Sequence, residues 1–412
     1  MQITRRQLVA GAAAGLAANS FGFFQDKPTL KIGLIGCGGR GSGAIRDSLA
    51  ADPGVVLHAI GDVFPDRLNG CLDGLKKEMP NRVKVDGRSF TGLDAYQKVL
   101  ATDVDVVILA TPPGFRPIHF AAAVEAGKHI FMEKPAAVDG PGVRAVIAAA
   151  QKAKAKNLTV VAGTQRRADL AYMEAMKRIH DGEMGDIVHL SCYWNQGGLW
   201  TASQTPGMSD AEWMIRNWLY FAWSSGDHIV EQHVHNLDVC NWAMNGHPVK
   251  AVALGGRQSR TEPIYGHIFD HFATEYEYAN GVKMMSYCRQ QDGCASNVSE
   301  RIVGSKGVSN ANTSIKGEKN WRFEGDRPNP YVLEHVRLYD SIKKSLGYNE
   351  GVQVAESTLT AIMGRMSAYS GEEVTWEKAL NSNVVLMPEG FHLGMTIPVP
   401  AVAIPGKTKG VF

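Results

Sequence analysis

The stretch Lys31-Ile32-Gly33-Leu34-Ile35-Gly36-Cys37-Gly38-Gly39-Arg40-Gly41 leaves a chain few ways to fold. Lys31 to Ile35 reads as a short buried strand, and Gly36, Gly38 and Gly41 follow in the pattern G-x-G-x-x-G. The three glycines serve a tight turn, close approach of the backbone to a pyrophosphate, and close packing of the next helix on the strand. The helix that follows, from about Ser42 to Ala51, directs its free N–H groups and positive dipole end at the phosphates. A second apolar run, Val55 to Ile60, comes one helix later and ends in Gly61-Asp62. Asp62 lies 21 residues past Gly41, where a carboxylate grips the adenosine ribose hydroxyls. A glycine turn in another kind of α/β protein does not require that second strand and its acid. The pattern predicts a dinucleotide site formed by Gly36, Gly38, Gly39, Arg40, Gly41 and Asp62. Asp62 repels a 2′-phosphate and favours NAD. Arg40 and Arg67 leave NADP open.

Strand and helix patterns then alternate, as in a parallel sheet. The run Val104 to Ala110 ends in Thr111-Pro112-Pro113, a turn facing the cofactor, because ligands of open α/β sheets sit at the carboxyl ends of strands. A helix from about Ile118 to Ala126, the strand His129 to Met132, a helix from Pro141 to Lys154 and the strand Thr159 to Ala162 complete this unit. After Gly163 the pattern changes. A helix near Ala171 to Asp181 is followed by strands at 186–194, 249–254, 272–278, 282–288 and 298–303, joined in part by short turns such as Ala279-Asn280-Gly281. That predicts a mainly antiparallel open sheet. The expected fold is an N-terminal Rossmann domain over 27–163 and a C-terminal α+β domain over 164–385, which includes helices at 331–345 and 352–370. The proline-bearing tail, 386–412, reads as an extended arm.

Two further segments carry chemistry. Glu133-Lys134-Pro135 closes a strand, and proline pushes the lysine backbone to an extended shape; a cis Lys134–Pro135 bond would fix the direction of the amine. A lysine beside a nicotinamide can serve in proton transfer. In Gly226 to Asp238, a helix from about His228 would put Glu231 and His235 four apart on one face, with Asp238 one turn further on. Such a carboxylate–imidazole pair moves a proton to or from a substrate hydroxyl. Three histidines in this segment also raise a metal site, but no H-E-x-x-H occurs, and no metal is expected. His228 and His233 are read as packing or polar contacts.

Together these segments resemble the Gfo/Idh/MocA oxidoreductases, and the resemblance runs through nearly the whole chain after the first 26 residues. It rests on Gly36 to Gly41, Thr111-Pro112, His119 in the next helix, Ala126-Gly127-Lys128-His129 leading into Glu133-Lys134-Pro135, and Glu231 to Asp238. The resemblance implies cofactor contacts at Thr111, Pro112, His119, Glu133 and Lys134, with Lys134 near the nicotinamide and His235 handling the hydroxyl proton. Glu231 stands where the family usually has aspartate. It also implies a sugar, polyol or derivative as substrate, and self-association through the open sheet.

Six of the eight tryptophans fall between 194 and 242, so the region before the Glu231 segment reads as an insertion that builds a binding wall. Flat indoles suit the C–H faces of sugar rings, although any single one more often packs a core. Arg166, Tyr193, Asn195, Trp218 and His235 are the expected substrate contacts. The 43 basic and 41 acidic residues are well mixed, which gives no support for a nucleic-acid partner. Thr4-Arg5-Arg6-Gln7-Leu8 with the small-residue run Val9 to Ala18 reads as a twin-arginine export signal, and that run is too short for an integral membrane span. Six cysteines without a C-x-x-C pair read as buried single thiols. Three functions stay open: an exported sugar or polyol oxidoreductase with tightly held cofactor, a redox-neutral NAD-dependent glycosidase acting by transient ring oxidation, and a non-catalytic sugar-binding protein.

Overall fold

The computed structural model describes residues 29–408. The expected export signal, 1–26, lies outside them. The first sheet has six parallel strands: β1 (Leu30–Ile35), β2 (Val55–Asp62), β3 (Ser89–Thr91), β4 (Val106–Leu109), β5 (His129–Met132) and β6 (Val160–Ala162). Their order is β3-β2-β1-β4-β5-β6, so the strand order reverses between β1 and β4. The glycine loop leaves β1 at that switch point, where open α/β sheets bind their ligands.

Period-two alternation decides which face each side chain serves. Ile32, Leu34, Val106 and Ile108 enter one cluster; Ile35, Val107 and Leu109 enter the other. The first cluster is completed from far along the chain. The Pro330–Lys343 helix lays Leu338 and Tyr339 into it, stacks His335 on Phe131 at 4.2 Å between centroids, and joins Ser341 to Thr159 at 2.8 Å. This helix falls in the stretch assigned from sequence to the second domain, yet it covers the first sheet.

The second sheet has nine strands: β7 (Ile187–Gln196), β8 (Pro248–Gly256), β9 (His271–Tyr278), β10 (Lys283–Gln290), β11 (Asn297–Gly304), β12 (Gly307–Ser309), β13 (Ser314–Gly317), β14 (Trp321–Arg322) and β15 (Val374–Thr375). Their order is β14-β13-β12-β11-β7-β10-β9-β8-β15, antiparallel except where β7 meets β10. The Val234–Met244 and Gly351–Ser370 helices pack against this sheet, and their side chains share one core with a face of the first sheet. On the outer face Val252, Leu254 and Tyr287 stay exposed. Five cysteines are buried and Cys294 is exposed.

Candidate active site

The helix after β1 begins at Gly39, earlier than the sequence suggests, so Gly39, Arg40 and Gly41 form its first turn. The glycines divide the work as the motif requires. Gly36 has φ +97°, and a side chain there would meet the backbone of Ala110 and Thr111 at 2.7–2.8 Å. On Gly41 a Cβ would stand 1.9 Å from the Gly36 carbonyl oxygen. Around Gly38 and Gly39 there is open space. The open first-turn N–H groups therefore face a cleft that admits a pyrophosphate, and the residues fit a dinucleotide.

That cleft is a cavity of about 980 Å³. Gly36, Gly38, Gly39, Arg40, Asp62, Thr111, Pro112 and His119, expected at the cofactor, line it together with Trp218, expected at the substrate; Lys134, Arg166 and His235 are not among its lining residues. Asp62 accepts hydrogen bonds from the N–H of Cys37 at 2.6 Å and of Phe64 at 2.8 Å, tying the end of β2 to the glycine loop. Burial raises its pKa, opposed by those two N–H groups. His119 meets Thr111 Oγ1 through Nδ1 at 3.0 Å and packs on Tyr96 at 4.3 Å between centroids. Burial and the Arg116 charge lower its pKa to about 3, so it is a neutral ring. Glu133 does not reach the cleft. It is 4% exposed and holds Arg40 Nε at 2.5 Å, which makes it a support for Arg40.

The Lys134–Pro135 peptide bond is cis. Lys134 Nζ donates to the Glu231 carbonyl oxygen at 2.5 Å and to Glu231 Oε1 at 2.9 Å. The expected Glu231–His235 pair does not form. The chain makes one helical turn, His228–Glu231, breaks at Gln232 and His233, and starts again as Val234–Met244. The break is held by side chains from the sheet: Gln232 Oε1 accepts from Gln196 and Gln290, and His233 Nε2 meets Ser286 at 2.7 Å. Glu231 thus turns to Lys134. His228 pairs with Asp227 at 2.9 Å, so both it and His233 have structural roles. Asp238 is also structural, accepting both ends of the Arg167 guanidinium at 2.8 and 3.1 Å.

His235 stacks on Trp194, 5.8 Å between centroids with planes 20° apart. Burial first, then the charges of Lys134, Arg166 and Arg40, lower its pKa well below the usual histidine value. Arg166 sits over the same indole at 5.7 Å and pairs with Glu300 at 2.5 Å. Tyr193 and Asn195 do not join the expected substrate contacts. Alternation along β7 turns them away from Trp194, and Tyr193 stacks on Tyr287 of the outer face at 5.5 Å. The sequence reading also missed part of the cleft wall: Phe64, Tyr96 and Phe115 from the first domain, Arg216 from the insertion, and Met387 and Phe391 from the tail. Arg67, raised there only for cofactor choice, also lines it.

The switch-point cleft, its glycine loop and the acid at the end of β2 define a protein of the dinucleotide-binding dehydrogenase class. The chain belongs to the Gfo/Idh/MocA family: the model of the oxidoreductase family, NAD-binding Rossmann fold, matches residues 30–162, and that of the GFO/IDH/MocA C-terminal domain matches 172–309. It is 28% identical over 220 residues to an inositol 2-dehydrogenase of Klebsiella pneumoniae, covering 53% of this chain and 55% of the relative. Over 168 residues it is 30% identical to a glycosyl hydrolase family 109 protein of Streptomyces coelicolor, covering 40% of this chain and 34% of the relative. The chain thus spans between a third and a little over half of these two curated relatives. Among solved structures, an aldose–aldose oxidoreductase of Caulobacter crescentus shares the fold with TM-score 0.66 at 18% identity, over 84% of this chain and 99% of that one. A scyllo-inositol dehydrogenase of Lactobacillus casei does so with TM-score 0.64 at 20% identity, over 85% and 98%.

Proposed function

We propose that the protein is an exported NAD-dependent oxidoreductase that moves a hydride between a hydroxyl-bearing carbon of a sugar, polyol or glycoside and a tightly held cofactor. The observation that carries this reading is the Lys134–Glu231 pair, with His235 near enough to Lys134 and to Arg40 of the cleft to feel their charges. When bound, the nicotinamide supplies the hydride acceptor. His235, neutral and buried, takes the hydroxyl proton as the alcohol becomes a carbonyl. Lys134 has two of its three donors occupied by Glu231 and offers the third to the substrate oxygen. Trp194 packs against both His235 and Arg166 and orients them relative to one another. Export rests on Arg5-Arg6 and the run after them. Self-association rests on the exposed Val252, Leu254 and Tyr287 of the outer sheet face.

The glycosyl hydrolase relative supports a second reading, redox-neutral cleavage in which the same hydride returns to the sugar. Product decides between them. Purified protein is denatured to identify its nucleotide, and intact protein is incubated with free sugars, inositols and aryl glycosides. Reduction of bound nucleotide by a free sugar or polyol supports the oxidoreductase. Aglycone release without net NADH replaces it with the glycosidase. Lys134→Ala and His235→Ala should each slow the chemical step by about 100-fold or more, and near-normal rates in both would remove the assignment. Because the His235 pKa is lowered, the base stays unprotonated as pH falls through 6.5, so kcat should hold its plateau below that pH.

A further inference from the structure

Part of the cleft wall does not come from the first domain. Arg216 ends the Asp210–Arg216 helix of the insertion, yet its guanidinium lies over the Phe64 ring, 3.8 Å from the centroid, just past Asp62. Asp66, at the start of the helix that follows β2, holds both its Nη atoms at 3.1 Å. Beside it runs the tail. Phe391 packs on Phe115 at 5.6 Å and on Trp223 at 5.1 Å, and Met387 reaches to Gly114. The tail is fastened along its length: Leu386 N–H donates to Asp139 at 2.9 Å, Ala211 N–H to the Met395 carbonyl at 3.2 Å, and Ile397 N–H to Asp210 at 3.1 Å. Arg216, Met387 and Phe391 all line the same cavity as Asp62.

We propose that Arg216 and the 386–397 segment are part of the dinucleotide site, forming a clasp over its Asp62 end, so that the nucleotide leaves only when this clasp opens. A planar cation held flat by the Asp66 and Glu212 carboxylates and by one aromatic ring suits an adenine face. A wall tied by several main-chain bonds is displaced more slowly than a single side chain. The inference deepens the cofactor half of the proposed function and does not depend on which sugar is used.

The test is the rate at which bound NADH is lost from the full-length protein into excess NAD, followed by its fluorescence. Arg216→Ala should release NADH about 10- to 30-fold faster. Asp66→Asn, which removes one of the two carboxylate charges that hold the guanidinium, should fall between that variant and the parent. A chain ended at Val385 should release it faster still. Thermal melting checks that each variant is folded; if one is not, the remaining variants decide. Unchanged release in every folded variant overturns the proposal. A parent that binds no NADH overturns it together with the cofactor reading. A parent that binds NADH and oxidises no sugar leaves the release rates to judge the clasp while removing only the substrate reading.

Discussion

The Gly36–Gly41 turn and the Asp227–Asp238 segment are both short, both rich in signal and both central to the site, yet different physics holds them. The turn is shaped by what its own residues lack. A side chain at Gly41 would strike the Gly36 oxygen at 1.9 Å and Gly36 itself has φ +97°, so most of the information is local, although the backbone of Ala110 and Thr111 also crowds Gly36. The second segment is shaped by what reaches it. Gln196 on β7 and Ser286 and Gln290 on β10 pin Gln232 and His233, and Lys134 from the first domain takes Glu231. A local steric rule can be read from a single sequence; a helix broken by partners from elsewhere in the chain cannot.

Substitutions can press on this contrast. The largest effect belongs to Gly41→Ala, whose methyl would stand 1.9 Å from the Gly36 oxygen. It should cost about 3 kcal/mol in denaturant unfolding. Gly38→Ala, pointing into open space, should cost under ~0.5 kcal/mol while weakening nucleotide binding. Equal losses at the two positions would end the claim that the turn is governed by local contact. Next comes the pairing in the second segment. In a double-mutant cycle on kcat/KM, Lys134→Ala and Glu231→Gln should couple by about 2 kcal/mol, because they break one ion pair. Glu231→Gln and His235→Ala should be additive within about 0.5 kcal/mol. The reverse pattern would restore the acid–imidazole pair that helical spacing suggests. The smallest effect is Asp62→Ala, which should shift relative affinity towards NADP by about fivefold, roughly 1 kcal/mol. No shift in titrations with the two nucleotides would detach Asp62 from the ribose.

The same distinction explains what was legible elsewhere. The parallel sheet, the glycine loop, Asp62, Thr111 and Pro112 follow from strand runs and from turns at strand ends, and His119 from the family resemblance; the structure gathers these residues at one cleft. Lys134 and His235 were legible as residues, but their partners were not. Tyr193 and Asn195 were misplaced because tryptophan density suggested a wall, whereas the pleat of β7 sends neighbouring side chains to opposite faces. Arg216 and Phe391 carry no periodic or motif signal. Nothing local announces that an arginine of the insertion and a proline-bearing tail will meet over a cleft built some 150 residues earlier, as the Arg216–Asp66 separation illustrates.

The Pro330–Lys343 helix has a consequence for the order in which this molecule can be made. When synthesis has reached Gly163, all six strands of the first sheet exist, but one flank of that sheet still lacks Leu338 and Tyr339. Those apolar side chains emerge only after most of the second sheet has been translated. Met387 and Phe391 of the cavity wall emerge later still. The nascent chain must keep that incompletely covered flank out of trouble until Leu338 and Tyr339 arrive, and the cavity gains its full wall only when the polypeptide is nearly finished.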